Sequence, residues 1–230
     1  MNTIVFEIIG IIAFSLSGTM VAMKNKMDVL GAVILANITA FGGGVLRDLI
    51  IGNIPPKLFV DNLYLIYLII ATCCSALLMI AVAAFKPFKA EVKTEGFNTA
   101  LNVMDAVGLA PFVLVGINLA MEKGGFGVLM LAIIGCISGC CGGIFRDILA
   151  HRIPIVFRKY IYIIPCFLGA LVYVLLTLYT PINNTVAMIV GFVIIIGGRL
   201  AGIFFRINMP SVCIDDAPAE TKKPQDGSEK

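Results

Sequence analysis

The sequence predicts an all-α membrane protein of seven transmembrane helices, laid out as two inverted three-helix repeats plus one extra helix. Three observations carry this. Hydrophobic residues make up 60% of the 230-residue chain and charged residues only 13%, far from the balance of a soluble globular domain. The apolar runs approach the roughly 20 residues a helix needs to cross the hydrocarbon, and they are too long and unbroken for barrel strands. A glycine cluster followed by Arg-Asp occurs twice, as Gly42-Gly43-Gly44-Val45-Leu46-Arg47-Asp48 and as Cys141-Gly142-Gly143-Ile144-Phe145-Arg146-Asp147.

Taken in order, the spans run from Thr3 to Met23, Val29 to Ile51, Leu63 to Phe85, Phe97 to Ala120, Phe126 to Ala150, Tyr160 to Tyr179 and Thr185 to Phe205. Short connections between them leave no room for a soluble domain. The chain therefore divides into a transmembrane domain over 1–206 and a tail over 207–230. Within the first, repeat one covers 3–85, repeat two 97–180 and the seventh helix 185–205. The tail, with Asp215, Asp216, Pro218, Lys222, Lys223, Pro224 and Gly227, is polar and turn-forming, as expected of a disordered cytoplasmic segment. Met1-Asn2-Thr3-Ile4 has no basic region and no cleavage site, so no cleaved signal peptide is expected.

Orientation follows from lysine and arginine near the span ends. With the N-terminus outside, the inner segments hold Lys24 and Lys26, then Lys86, Lys89 and Lys93, then Arg152, Arg158 and Lys159, with Arg206 at the last exit. Outer segments hold little more than Lys57 and Lys123. The positive-inside rule then places the N-terminus outside and the C-terminus in the cytoplasm of a multi-pass membrane protein. The net charge of +3 is accounted for by that distribution, and no nucleic-acid patch is present.

The repeat extends well beyond the glycines. Arginine and proline positions share one register (146 − 47 and 154 − 55 both equal 99), while Glu7, Gly10, Phe14, Leu16, Gly18 and Ala22 align with Asp105, Gly108, Phe112, Leu114, Gly116 and Ala120 at an offset of 98. Three spans per repeat force the second copy to begin on the opposite membrane face, as in many transport proteins. Glu7 and Arg47 then share the outer half, and Asp105 and Arg146 the inner half. Each acid is expected to pair with the arginine at its own depth, which lowers the cost of burying both. Asp48 and Asp147 directly follow their arginines and are expected to point elsewhere on the helix.

Glycine triplets admit two readings. Small residues let membrane helices approach closely, but packing needs them on one face, and consecutive residues occupy different faces. A break or hinge in the second and fifth spans is therefore expected, tolerated only where it is buried or lines a cavity. The Arg-Asp pairs likewise read either as pore charges or as interfacial anchors.

These residues resemble the prokaryotic members of the trimeric intracellular cation channel (TRIC) family, whose sequence domain also carries the name glycine transporter. The resemblance rests on the doubled Gly-Gly-Gly-x-x-Arg-Asp pattern, on Asp105-Ala106-Val107-Gly108-Leu109-Ala110 and on the three-plus-three-plus-one layout, and it covers Thr3 to Phe205. It implies a homotrimer with a monovalent-cation pore, chiefly for potassium, in each protomer between the repeats. It also implies that Gly42, Gly43, Gly44 and Arg47, with Gly142, Gly143 and Arg146, kink and line that pore. Cys141 departs from the pattern and weakens the second kink.

A cation pore containing arginines requires their charge to be neutralised by Glu7 and Asp105, or requires the arginines to act as gates. Asn37, Thr39, Asn102 and Ser138 are the candidate pore-facing polar groups, and Asp48 and Asp147 are candidate cation attractors. Seven cysteines without a Cys-x-x-Cys motif read as packing residues, so no metal site or cofactor is expected. His151 falls in a basic inner loop, and Arg199 is expected to snorkel or to face a partner subunit. No nucleophile-base pair or phosphate loop is evident, so an enzyme is not expected. A channel, a carrier for a small solute such as glycine and a membrane scaffold are the classes left open, the scaffold being disfavoured by the buried charges.

Overall fold

The computed structural model describes residues 2–84, 94–158 and 162–205. The ends of the third and sixth spans at Phe85 and Tyr160, the basic positions Lys86, Lys89, Lys93, Lys159 and Arg206, and the tail lie outside the described residues. The described residues are helical, as α1 (Asn2–Lys24), α2 (Val29–Ile50), α3 (Lys57–Val60), α4 (Asn62–Ala84), α5 (Glu95–Lys123), α6 (Val128–Leu149), α7 (Ile155–Arg158), α8 (Ile163–Tyr179) and α9 (Asn184–Phe204). Six of these are long and apolar enough to cross a membrane, and α8 is a shorter apolar helix of 17 residues. Together they make an integral, multi-pass membrane protein.

The helix ends are set by local chemistry. Asp28 caps α2 by accepting from the Gly31 N–H at 2.7 Å, Thr94 caps α5 by accepting from Phe97, and Asn183 caps α9 by accepting from Thr185. At the C-terminus of α2 the chain turns through Gly52 at φ 73°, with the Asn53 N–H returning to the Asp48 carbonyl. The end of α6 repeats this, with Arg152 donating to the Asp147 carbonyl and His151 at φ 52° where the first copy has glycine.

Packing brings matching residues of the two sequence repeats into matching contacts. Helices α1 and α5 run antiparallel, since Gly10 lies against the Phe112 ring, Gly108 against the Phe14 ring, and Lys24 Nζ reaches Asn98 at 2.5 Å. Phe14 and Phe112 stack on each other with centroids 5.3 Å apart. Helices α2 and α6 cross through their glycines. A Cβ on Gly43 would sit 2.1 Å from the Ser138 carbonyl oxygen, and one on Gly142 would sit 2.2 Å from the Thr39 carbonyl oxygen.

That contact corrects the expected helix break. Both α2 and α6 continue as α-helix through Gly42–Gly44 and through Cys141–Gly143. Here the packing reading is the right one, because two backbones meet and any side chain would force them apart. The short helices α3 and α7 are absent from the sequence reading; each is a single turn following the Ile-Pro motif.

Gly43→Ala and Gly142→Ala, which each press a methyl group into fixed backbone, are expected to cost about 1–3 kcal/mol or more of stability. Gly44→Ala, whose Cβ would meet nothing closer than Arg47 Nη2 at 3.7 Å, should leave thermal unfolding in detergent near wild type.

Candidate functional site

Two clusters of buried charge flank the Phe14–Phe112 stack. The first lies near the start of α1 and the end of α2, where Glu7, Ile11, Gly44, Arg47, Asp48 and Tyr64 share a cavity with Phe112 at its wall. Arg47 donates to Asp48 Oδ1 through Nε at 2.9 Å and Nη2 at 2.7 Å, with both side chains buried. The other Asp48 oxygen accepts from the Lys57 backbone N–H at 3.0 Å, so this carboxylate ties α2 to the first turn of α3. Glu7 accepts from the Tyr64 hydroxyl at 3.4 Å.

The second cluster is denser. Asp105, fully buried on α5, accepts from Arg146 at 2.8 Å on one oxygen. Its other oxygen accepts from the Tyr162 hydroxyl at 2.8 Å and from Arg199 Nη2 at 3.4 Å. Arg146 also donates to Asp147 Oδ1 at 3.0 Å and to the Ser17 hydroxyl. Asp147 Oδ2 accepts from the Ile155 backbone N–H at 3.0 Å, repeating the role of Asp48 at α3. The Arg199 guanidinium lies 3.6 Å from the centroid of the Tyr162 ring, a cation–π contact. Ten residues of α1 separate Glu7 from Ser17, so the clusters stand about 15 Å apart along its axis.

Their charge balance differs. The second holds two arginines and two aspartates in one bonded network, whereas the first holds Arg47 and Asp48 as a pair with Glu7 outside it. The surplus arginine comes from α9, which packs on α5 and α8.

Several sequence expectations are corrected here. Asp48 and Asp147 do bind their own arginines, because a long arginine chain curls round the last helical turn to the neighbouring carboxylate. Asp105 pairs with Arg146 as expected, but no ion pair joins Glu7 to Arg47 among the described residues. Arg199 neither snorkels nor faces outward; it is 1% exposed and bound to Asp105. Thr39 and Ser138 are buried where helices meet, against Gly18 and Gly116.

Asn37 donates to Thr72 on α4 at 3.1 Å. Asn102 lines a separate cavity with Lys24, Asn98, exposed His151 and Arg152, beyond the second cluster. Among the glycines, Gly44 borders the first cavity, Gly143 lies 3.1 Å from Asp105 Oδ1 by its Cβ position, and Gly42 faces Phe145. Ser17, Tyr64 and Tyr162 were missed by sequence reasoning; single hydroxyls in apolar runs give no signal, whereas Arg199 did give one, as a lone charge deep in the last span.

Asp105→Asn strips the shared counter-charge from two buried arginines and is expected to cost about 3–5 kcal/mol. Glu7→Gln breaks no ion pair among the described residues, and its unfolding temperature should stay close to wild type in the same detergent assay.

The sequence matches the family profile described as "Glycine transporter" over residues 4–83 and 102–177. It is 33% identical over 208 residues to a UPF0126 membrane protein of Vibrio cholerae, covering 90% of this chain and 82% of that one. The inner membrane protein YadS of Escherichia coli is 32% identical over 210 residues, covering 91% and 96% of the two chains. Among solved structures, a TRIC trimeric intracellular cation channel orthologue from Rhodobacter sphaeroides superposes with a TM-score of 0.78 at 27% identity, covering 89% of this chain and 98% of that one. A structure presented as the basis for conductance through TRIC cation channels gives a TM-score of 0.76 at 31% identity, covering 93% and 98%.

Proposed function

Because the chain belongs to the trimeric intracellular cation channel family, we propose that it is a monovalent-cation channel, chiefly for potassium, assembled as a homotrimer with a pore in each protomer. The observation that carries this reading is the pair of charge clusters on either side of the Phe14–Phe112 stack, inside the α1, α2, α5 and α6 core. Charged groups this deep in apolar helices mark ion pathways more often than scaffolding.

In this reading the two three-helix units cross the membrane in opposite senses and α9 is the seventh span. The N-terminus is outside, the tail over 207–230 is cytoplasmic, and the membrane is the plasma membrane of a prokaryote. Glu7 then stands in the outer half and Asp105 in the inner half. Glu7, the cluster carboxylate with no ion pair among the described residues, acts as the cation attractor, while Asp48 and Asp147, each divided between an arginine and the first N–H of a short helix, shape the path. The glycine crossing of α2 and α6 shapes the path, and both helices stay wound through it. No catalytic step is involved.

In proteoliposomes a potassium gradient alone should drive current faster than a carrier can turn over, and Glu7→Gln should lower the conductance. Saturable uptake of labelled glycine without current would sink this reading in favour of a carrier.

A further inference from the structure

Three of the cysteines converge where α6 meets α8. Cys136 and Cys140 lie one turn apart on the same face of α6, and Cys166 lies one turn into α8. The Cys166 and Cys136 sulfurs are 3.4 Å apart, and Cys140 is a second hydrogen-bond partner of Cys166. Cys166 is fully buried, whereas Cys136 is half-buried beside the exposed Ile133, so an agent dissolved in the bilayer reaches the pair through Cys136.

We propose that Cys136 and Cys166 form an oxidisable dithiol site that closes to a disulfide and ties α6 to α8. The sulfurs, 3.4 Å apart, need to move together by little more than one ångström to reach the roughly 2.05 Å of a disulfide bond. The balanced step takes the electrons to a membrane-dissolved quinone. Both S–H bonds break, one S–S bond forms, and two electrons and two protons pass to the quinone oxygens to give the quinol. Reactants and products are all neutral, so no charge is left in the hydrocarbon.

The site is placed to act on the second charge cluster. Tyr162, which donates to Asp105, caps α8 one turn before Cys166. Gly198, next to Arg199, packs on Pro165 at the same turn, where its Cβ position is 2.5 Å from the Pro165 Cβ. A bond from Cys166 to α6 therefore fixes the turn that holds both Tyr162 and Arg199 on Asp105. In the channel proposed above, which this consequence rests on, the disulfide holds the inner end shut.

Full-length protein in proteoliposomes is treated with a short-chain ubiquinone, denatured, labelled with N-ethylmaleimide and mapped by mass spectrometry. The expected result is loss of label at Cys136 and Cys166 together, loss of two hydrogen atoms from the intact mass, and recovery of both with dithiothreitol. Cys140→Ser should react as wild type, and Cys136→Ser should leave Cys166 free. Retained labelling of Cys166 in the wild type, or loss of the reaction in Cys140→Ser, overturns the pairing. For function, quinone should abolish potassium flux in the wild type and not in Cys136→Ser. Unchanged flux in oxidised, conducting protein overturns the gating role. Reduced protein that carries no flux at all overturns the channel reading, while the labelling still decides the disulfide.

Discussion

Everything else in the fold depends on how closely α2 approaches α6. Each helix offers a bare glycine Cα to a carbonyl of the other, Gly43 to Ser138 and Gly142 to Thr39. Lipid supplies no hydrophobic drive for helices to associate, so contact rests on close van der Waals approach, and only glycine permits it at that depth. Arg47 and Arg146 lie one turn beyond these glycines. The crossing therefore draws both guanidinium groups into the core, where each is almost wholly buried and needs a carboxylate within reach.

The one departure in the doubled motif follows from the same contact. Phe145 occupies the position that Leu46 holds in the first copy, and its ring fills the space a Cβ at residue 42 would need, at 2.7 Å. Residue 42 must then be glycine. By repeat position, the second copy carries Cys141 where the first has Gly42, and the first carries Leu46 where the second has Phe145, so the two copies distribute bulk differently about the crossing.

Much of this was legible in the sequence. The spans could be drawn to within a few residues because apolar length is a local property, and the repeat register gave the Asp105–Arg146 pair before any geometry was known. Two things were not. A run of glycines reads equally as a break or a seam, and only the carbonyls of Ser138 and Thr39, far away in sequence, decide between them. Arg199 was visible as a charge out of place, but its partner Asp105 lies on a helix from which no local pattern points to it, and the hydroxyls of Tyr162 and Ser17 carried no signal. The turns α3 and α7 were also missed, since four residues hold no periodicity and their first N–H groups are anchored by Asp48 and Asp147 from the preceding helix.

The two clusters are related by the repeat and yet unequal, and the inequality bears on conduction. At the first, Glu7 accepts a long hydrogen bond from Tyr64 at 3.4 Å and is held in no ion pair among the described residues, so a cation there has no bonded guanidinium to displace. At the second, Asp105 is shared among Arg146, Arg199 and Tyr162, and each charge pair at such distances is worth on the order of 4 kcal/mol at an effective dielectric near 20. A cation cannot displace both arginines by its own attraction. Arg146 is built into α6, but Tyr162 and Arg199 belong to the start of α8 and the end of α9. If the chain conducts, the step that frees Asp105 is therefore a shift of α8 and α9 away from α5, a motion that the first cluster, which has no counterpart of Arg199 among the described residues, does not need.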